Sequence, residues 1–144
     1  MAYWLLKSEP ATWSWDQQVA AGPQGTFWNG VRNHSAKLHL MAMQIDEEAL
    51  FYHSNEGKAV VGVVRIIRTF YPDPSDASGK FGMVDVAAVR ALAQPVTLEV
   101  IKAEPRLAKM VLVTNSRLSV QPVTSEEWAM IMAMGAGACT TQTC

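Results

Sequence analysis

The chain has few cysteines, no long apolar run and no surplus of basic charge, and each shortage removes a class of function. Its two cysteines, Cys139 and Cys144, sit five apart in the small-residue stretch 136–144 with no histidine nearby. That spacing suits neither a zinc pair nor a Cys-x-x-Cys redox motif, so the stretch reads as a flexible tail with free thiols after one domain over residues 1–135. The apolar opening, residues 2–6, is ended by Lys7 and Glu9 and is too short for a signal peptide. Nothing approaches the ~18 apolar residues of a membrane span. The expectation is a cytoplasmic protein without membrane contact. A formal charge of −1 argues against wrapping long stretches of nucleic-acid backbone, which takes an excess of Lys and Arg, and leaves room only for a local basic patch.

Catalytic and cofactor signatures are also missing. There is no Walker loop, dinucleotide fingerprint, metal spacing or nucleophile elbow. His34 and His39 do not share a helical face, and His53 and Ser54 are strand neighbours whose side chains point apart. Glu9 becomes a general base only if the fold sets it across a cavity from His53. The sequence therefore predicts no metal, no cofactor and no catalysis; a small enzyme acting on a modified nucleoside is an alternative.

What the sequence does have is aromatic weight: five tryptophans in 144 residues. Residues 25–33 draw attention first, because they combine Trp28, Asn29, Gly30, Val31, Arg32 and Asn33. An indole offers a stacking face, paired amides offer donors and acceptors, and a guanidinium reaches a phosphate or a base edge. That set suits gripping one base. The competing account makes Trp28 a core plug, Asn29-Gly30 a tight turn and Asn33 the cap of the helix that follows.

Pattern places the rest. Residues 3–6 read as a buried strand, broken by Ser8-Glu9-Pro10 into a loop fit for a pocket rim. Ser14 and Gln17 have capping-box spacing for a helix of about two turns, stopped by Gly22 and Pro23. Residues 31–43 suit a helix, 49–53 a strand, and 60–67 the most buried strand, with Gly62 marking a bend or bulge. A loop over 71–79 and a strand over 82–89 follow, and residues 112–120 are read as the last strand. Gln-Pro-Val-Thr occurs at 94–97 and again at 121–124, each copy leading from a strand into a helix; the second opens a helix over 125–134 that carries Trp128, Ile131 and Met132 to the core. Five or six bent strands without βαβ alternation predict a small barrel.

Several strings in one order then carry a resemblance: Trp4-Leu5-Leu6-Lys7-Ser8-Glu9-Pro10, Trp28-Asn29-Gly30-Val31-Arg32-Asn33, Phe51-Tyr52-His53-Ser54, Tyr71-Pro72-Asp73-Pro74, and Ser116-Arg117-Leu118-Ser119-Val120-Gln121-Pro122-Val123. From about residue 3 to residue 134 the chain resembles the EVE domain family. The resemblance implies an α+β, PUA-like mixed β-barrel of five or six strands with short peripheral helices, akin to YTH and ASCH domains. It also implies a reader of a modified, for example methylated, base in DNA or RNA. Lys7 and Ser8, which share the candidate rim with Glu9, are similar to the Lys-Ser loop after the first strand of YTH readers; Trp28 with Asn29 and Asn33 is similar to their pocket tryptophan and its polar neighbours. The resemblance also implies that the strand from Phe51 to Ser54, with Tyr52, His53 and Ser54, forms the opposite wall. Alternation sends Tyr52 and Ser54 one way and His53 the other, without saying which faces a ligand. Arg32 and Arg117, beside Ser116, are the expected phosphate or base-edge contacts. Two alternatives are a PUA-like RNA-binding module in RNA modification or translation without modified-base selectivity, and an interaction module with a filled barrel. The chain departs from the family pattern at Asp46-Glu47, where relatives tend to have Gly-Asp, at Thr114-Asn115, where they tend to have Arg-Gln, and in the cysteine-bearing tail.

Overall fold

The computed structural model describes residues 2–136 apart from Asn29, Gly30, Arg32, Asn55, Glu56 and Ser116. The expectations placed on Asn29, Gly30, Arg32 and Ser116, and on Cys139 and Cys144 in the tail, therefore lie outside the described residues.

Six strands form one sheet in the order β2-β5-β4-β3-β1-β6. They are β1 (Tyr3–Ser8), β2 (Thr26–Trp28), β3 (Glu48–His53), β4 (Ala59–Pro72), β5 (Gly82–Thr97) and β6 (Val120–Val123). β1 runs parallel to β3, and the other described pairings are antiparallel. The helices are α1 (Trp15–Ala20), α2 (His34–Ala42), α3 (Leu98–Ala103), α4 (Val111–Thr114) and α5 (Ser125–Gly135), with single 3-10 turns at Gly22–Gln24 and Pro105–Leu107.

Both faces of the sheet are covered, which is why β1, β3 and β4 read as nearly continuous apolar runs. Alternation on β1 sends Trp4 and Leu6 into one core and Leu5 into the other; on β3 it separates Ala49 and Phe51 from Leu50 and Tyr52. The first core receives a side chain from each of the six strands, including Trp28 of β2 and Val120 of β6, the two ends of the order. That is possible only if the sheet curls around it. Helix α2 packs against β6, β4 and β5 and contributes Ala36 and Leu40 to the first core. The second core lies under Ile101, Leu107, Met110, Leu112, Trp128 and Ile131.

Local chemistry sets the boundaries. Ser14 Oγ accepts from the Gln17 N–H (3.2 Å) while Gln17 Oε1 accepts from the Ser14 N–H (2.8 Å), and Thr124 and Glu127 do the same at 3.1 and 3.0 Å. Thr97 caps α3 by accepting from the Val100 N–H, so both Gln-Pro-Val-Thr copies end a strand and cap a helix. Gly62 sits where the register shifts on both sides of β4. A Cβ there would lie 2.4 Å from the Trp15 indole, so the bend also seats α1. In the Asp46-Glu47 turn, Asp46 takes the left-handed conformation (φ 72°). Glu47 is buried and accepts from Trp4 Nε1 (2.9 Å), the Gln44 N–H (2.9 Å) and the Ala2 N–H (3.0 Å). Burial would raise its pKa, but those three bonds outweigh burial and hold it below the ordinary glutamate value.

One expectation is corrected. Residues 112–120 are not a strand: Val111–Thr114 form α4, a turn follows, and pairing begins at Val120. A short apolar run has no period that separates helix from strand, and here Leu112 is buried against the second core from a helical turn.

Candidate functional site

A cleft of about 400 Å³ opens between the end of β1 with its following loop and strand β2. Lys7, Ser8, Glu9, Thr12 and Trp13 form one wall; Thr26, Phe27 and Trp28 form the other. The strands that meet here are far apart in the sheet order, so the cleft is a product of the curl.

The loop wall is fixed by main-chain bonds. The Lys7 N–H donates to the Ser119 carbonyl (3.0 Å), and the Ser54 N–H donates to the Ser8 carbonyl (2.9 Å). The N–H groups of Thr12 and Trp13 both donate to the Glu9 carbonyl at 2.9 Å, which winds the loop into a turn. Ser8 Oγ donates to the Trp13 carbonyl at 2.5 Å. The Trp13 indole N–H donates to Gln18 Oε1 (2.9 Å), and Gln18 Nε2, fully buried, donates to the Val86 carbonyl of β5 (3.3 Å). The capping box at Ser14 thus orients α1, α1 orients Gln18, and Gln18 sets the angle of Trp13.

The strand wall is fixed by close approach. Gly25, at φ 65°, precedes β2, and a Cβ there would lie 2.1 Å from the Val86 carbonyl oxygen. Only glycine lets β2 lie this tightly on β5. Trp28 is 8% exposed and stands at 88° to Phe51 with 5.5 Å between centroids; Trp15 and His53 meet the same phenyl ring at 5.3 and 5.7 Å. Trp28 therefore plugs the first core and also borders the cleft.

Of the other predicted residues that are described, Lys7, Ser8 and Glu9 line the cleft with Trp28, and Val31, Asn33, Tyr52, His53, Ser54 and Arg117 are not among its lining residues. Burial lowers the pKa of Lys7, whose Nζ lies 5.8 Å from the Tyr52 ring centroid. Tyr52 is on the opposite face, buried in the second core. His53 is on the cleft side of the sheet but serves as a peg. Its Nε2 accepts from the Trp15 N–H (3.0 Å), which puts a neutral ring's proton on Nδ1. Burial lowers the His53 pKa against the opposing pull of Asp16. Ser54 is half-buried, Val31 is buried in the first core, and Arg117 is exposed in the turn before β6. Asn33 caps α2, its Oδ1 accepting from the Ala36 N–H at 3.0 Å.

Sequence reasoning missed Thr12, Trp13, Thr26 and Phe27. Their signal is a threonine followed directly by an aromatic on each side of α1, at 12–13 and 26–27. No group of three or more potential metal ligands occurs among the described residues, and none of the described helices is long and apolar enough to cross a membrane.

Comparison with known proteins follows the same outline. The EVE domain model matches residues 2–134. Thymocyte nuclear protein 1 from Rattus norvegicus is 35% identical, with 92% of this chain aligned to 73% of the relative. A Rhodopseudomonas palustris protein solved by NMR is 63% identical at a TM-score of 0.89, over 94% of this chain and 93% of that one. Human THYN1, crystallised in complex with DNA containing 5-methylcytosine, is 33% identical at a TM-score of 0.87, over 95% of this chain and 99% of that one. The YTH domain of Zygosaccharomyces rouxii MRB1, 18% identical at 0.59 over 99% of this chain and 87% of that one, shares the fold, which is α+β and PUA-like. Matched over nearly all of its described length by one domain model, the chain belongs to the EVE domain family.

Proposed function

We propose that the cleft receives a single nucleobase of a DNA or RNA strand, that it favours a modified base, and that the protein acts by binding without turnover. The observation that carries the reading is the cleft itself. Its ~400 Å³ lies within the roughly 300–1,000 Å³ of small-molecule sites. It is bordered by three aromatic side chains, Trp13, Phe27 and Trp28, and by the hydroxyls of Ser8, Thr12 and Thr26. Aromatic faces give sequence-tolerant stacking, about 1–3 kcal/mol per base. Hydroxyls, amides and main-chain groups at the rim read the base edge. The THYN1 complex with 5-methylcytosine DNA supports a base ligand for the family.

Selectivity for a methyl group needs more than its own burial. One buried methyl contributes about 0.8 kcal/mol, a discrimination of only about fourfold. Larger ratios arise when the unmodified base leaves a gap or an unpaired polar group in the cleft. Binding without turnover is supported by two groups among the described residues: the Ser8 hydroxyl donates to the Trp13 carbonyl, and His53 Nε2 accepts from the Trp15 N–H.

The test is a titration of the protein against oligonucleotides carrying 5-methylcytosine, N6-methyladenine or plain bases, at two salt concentrations. The expected result is preference for one modified form, with affinity falling as salt rises. Trp13→Ala, at a partly exposed position, weakens that binding by about 5- to 150-fold, the equivalent of one lost stack. Equal affinity for modified and plain bases overturns the selectivity, and an unaltered Trp13→Ala affinity overturns the cleft as the site.

A further inference from the structure

Strand alternation turns Phe27 away from the first core that holds Trp28. It is 54% exposed at the mouth of the cleft and belongs to neither core. Its neighbours in register are Asp85 on β5 and then Arg68 on β4. Cross-strand partners share a face, so Phe27, Asp85 and Arg68 form a row on the outer surface beside the cleft. The Arg68 guanidinium lies 3.5 Å from the Tyr71 ring centroid, and the Tyr71 hydroxyl donates to Asp85. Arg68 is exposed and held in place by its stack, as a phosphate contact has to be.

We propose that Phe27 is a wedge: as the cleft takes a base out of a base-paired duplex, the phenyl ring enters the gap left in the stack and Arg68 holds a phosphate of the flanking strand. The inference rests on the cleft taking a nucleobase and adds that the substrate is double-stranded and that the protein extracts the base. A base inside a duplex cannot reach a cleft bordered on both sides by side chains; it has to swing out, at the cost of unstacking. Proteins that open base steps do so with exposed apolar side chains, phenylalanine among them. Here the wedge and the cleft wall are consecutive residues on one strand, Phe27 and Trp28, so the hole in the stack and the pocket for the base stay in fixed relation. The row of Phe27 and Arg68 supplies the two chemistries a duplex presents beside such a hole, stacked rings and phosphate.

The experiment compares one 5-methylcytosine oligonucleotide as single strand and as duplex, in DNA and RNA arms, with 2-aminopurine beside the modified base to report unstacking. Phe27→Ala is expected to weaken duplex binding by about tenfold or more beyond whatever it costs single-strand binding as a lining residue of the cleft. Phe27→Leu, still an apolar wedge, retains most of the duplex affinity. The 2-aminopurine signal rises with the wild-type protein and not with Phe27→Ala. Arg68→Ala lowers the salt dependence by about one phosphate contact. The arm showing these effects identifies the duplex. Equal weakening of both strand forms makes Phe27 an ordinary wall residue and overturns the wedge. Unchanged duplex binding by Phe27→Ala, with or without a loss of self-association in sedimentation, overturns it too. If the wild-type protein binds single strands only, the wedge fails and the cleft reading stands; if it binds neither, the cleft reading fails with it.

Discussion

The two faces of the sheet both carry tryptophan, and they use it differently. On the closed face Trp128 lies nearly flat on Tyr3, 14° between planes and 4.3 Å between centroids, under a cover of helices. On the cleft face Trp28 stands perpendicular to Phe51. A flat pair commits a face of both rings, whereas a perpendicular pair commits a face of only one. The surroundings differ as well. The closed face is mostly Leu, Ile, Val and Met, with Tyr52 and Gln121 as its buried polar members, while the cleft face carries the paired polar groups Gln18, Glu47 and His53. An aromatic load therefore does not mark a binding site by itself; polar groups threaded among the rings, each tied to a named partner, hold a cleft open at its edge.

The largest expected effect tests whether the closed face is only structural. Trp128→Ala is expected to cost about 3–5 kcal/mol in denaturant unfolding, the usual range for emptying a large aromatic site. Base affinity of the folded protein should stay within about twofold. A binding loss matching that of Trp13→Ala would erase the distinction between the faces. Next, Gly62→Ala drives a methyl into the Trp15 indole, which packs on Phe51 while the Trp15 main-chain N–H is held by His53. Overpacking of this kind costs about 1–3 kcal/mol. Because the strain passes to the rings behind Trp28, melting temperature and binding should fall together; a fall in stability with intact binding would uncouple the cleft from its backing.

The smallest effect separates the faces by pH. The Glu47 pKa is lowered on folding, so its contribution is complete above the unfolded value of about 4.3 and is lost as pH falls through the lower folded value. The lowered His53 acts in the same direction, beginning from about 6.5. Tyr52, on the closed face, is pushed up to about 12, so its contribution holds below about 10 and is lost as pH rises through about 12. Glu47→Gln should be less stable than wild type by about 1 kcal/mol at neutral pH. Unfolding curves at a series of pH values should show that gap closing in acid; a gap that persists to low pH would remove Glu47 from the account.

Much of the architecture was legible because its signals are local. The capping boxes at Ser14 and Thr124, the Asn33 cap, the two-sided burial of β4 and the bend at Gly62 each follow from residues within a few positions of one another. Residues 112–120 failed because an apolar run is equally at home in a buried turn of helix. The cleft was half legible. Lys7, Ser8, Glu9 and Trp28 came from the strand break, the aromatic and amide stretch and the resemblance, whereas the loop carrying Thr12 and Trp13 meets β2 only through a curl, and no spacing in the chain encodes that approach. His53 was legible as a polar residue near a site, but not its use as a peg for α1.

Strand β2 is three residues long, lies at the end of the sheet and is paired with β5 alone. The first wall to yield when the molecule breathes is therefore the one carrying Phe27 and Trp28, since short edge segments open without the rest of the ladder. Its opposite number, the loop after β1, is pinned from several directions. One jaw is anvil and the other a lighter plate, so on the proposed reading a guest of larger girth is expected to be met by adjustment on a single side.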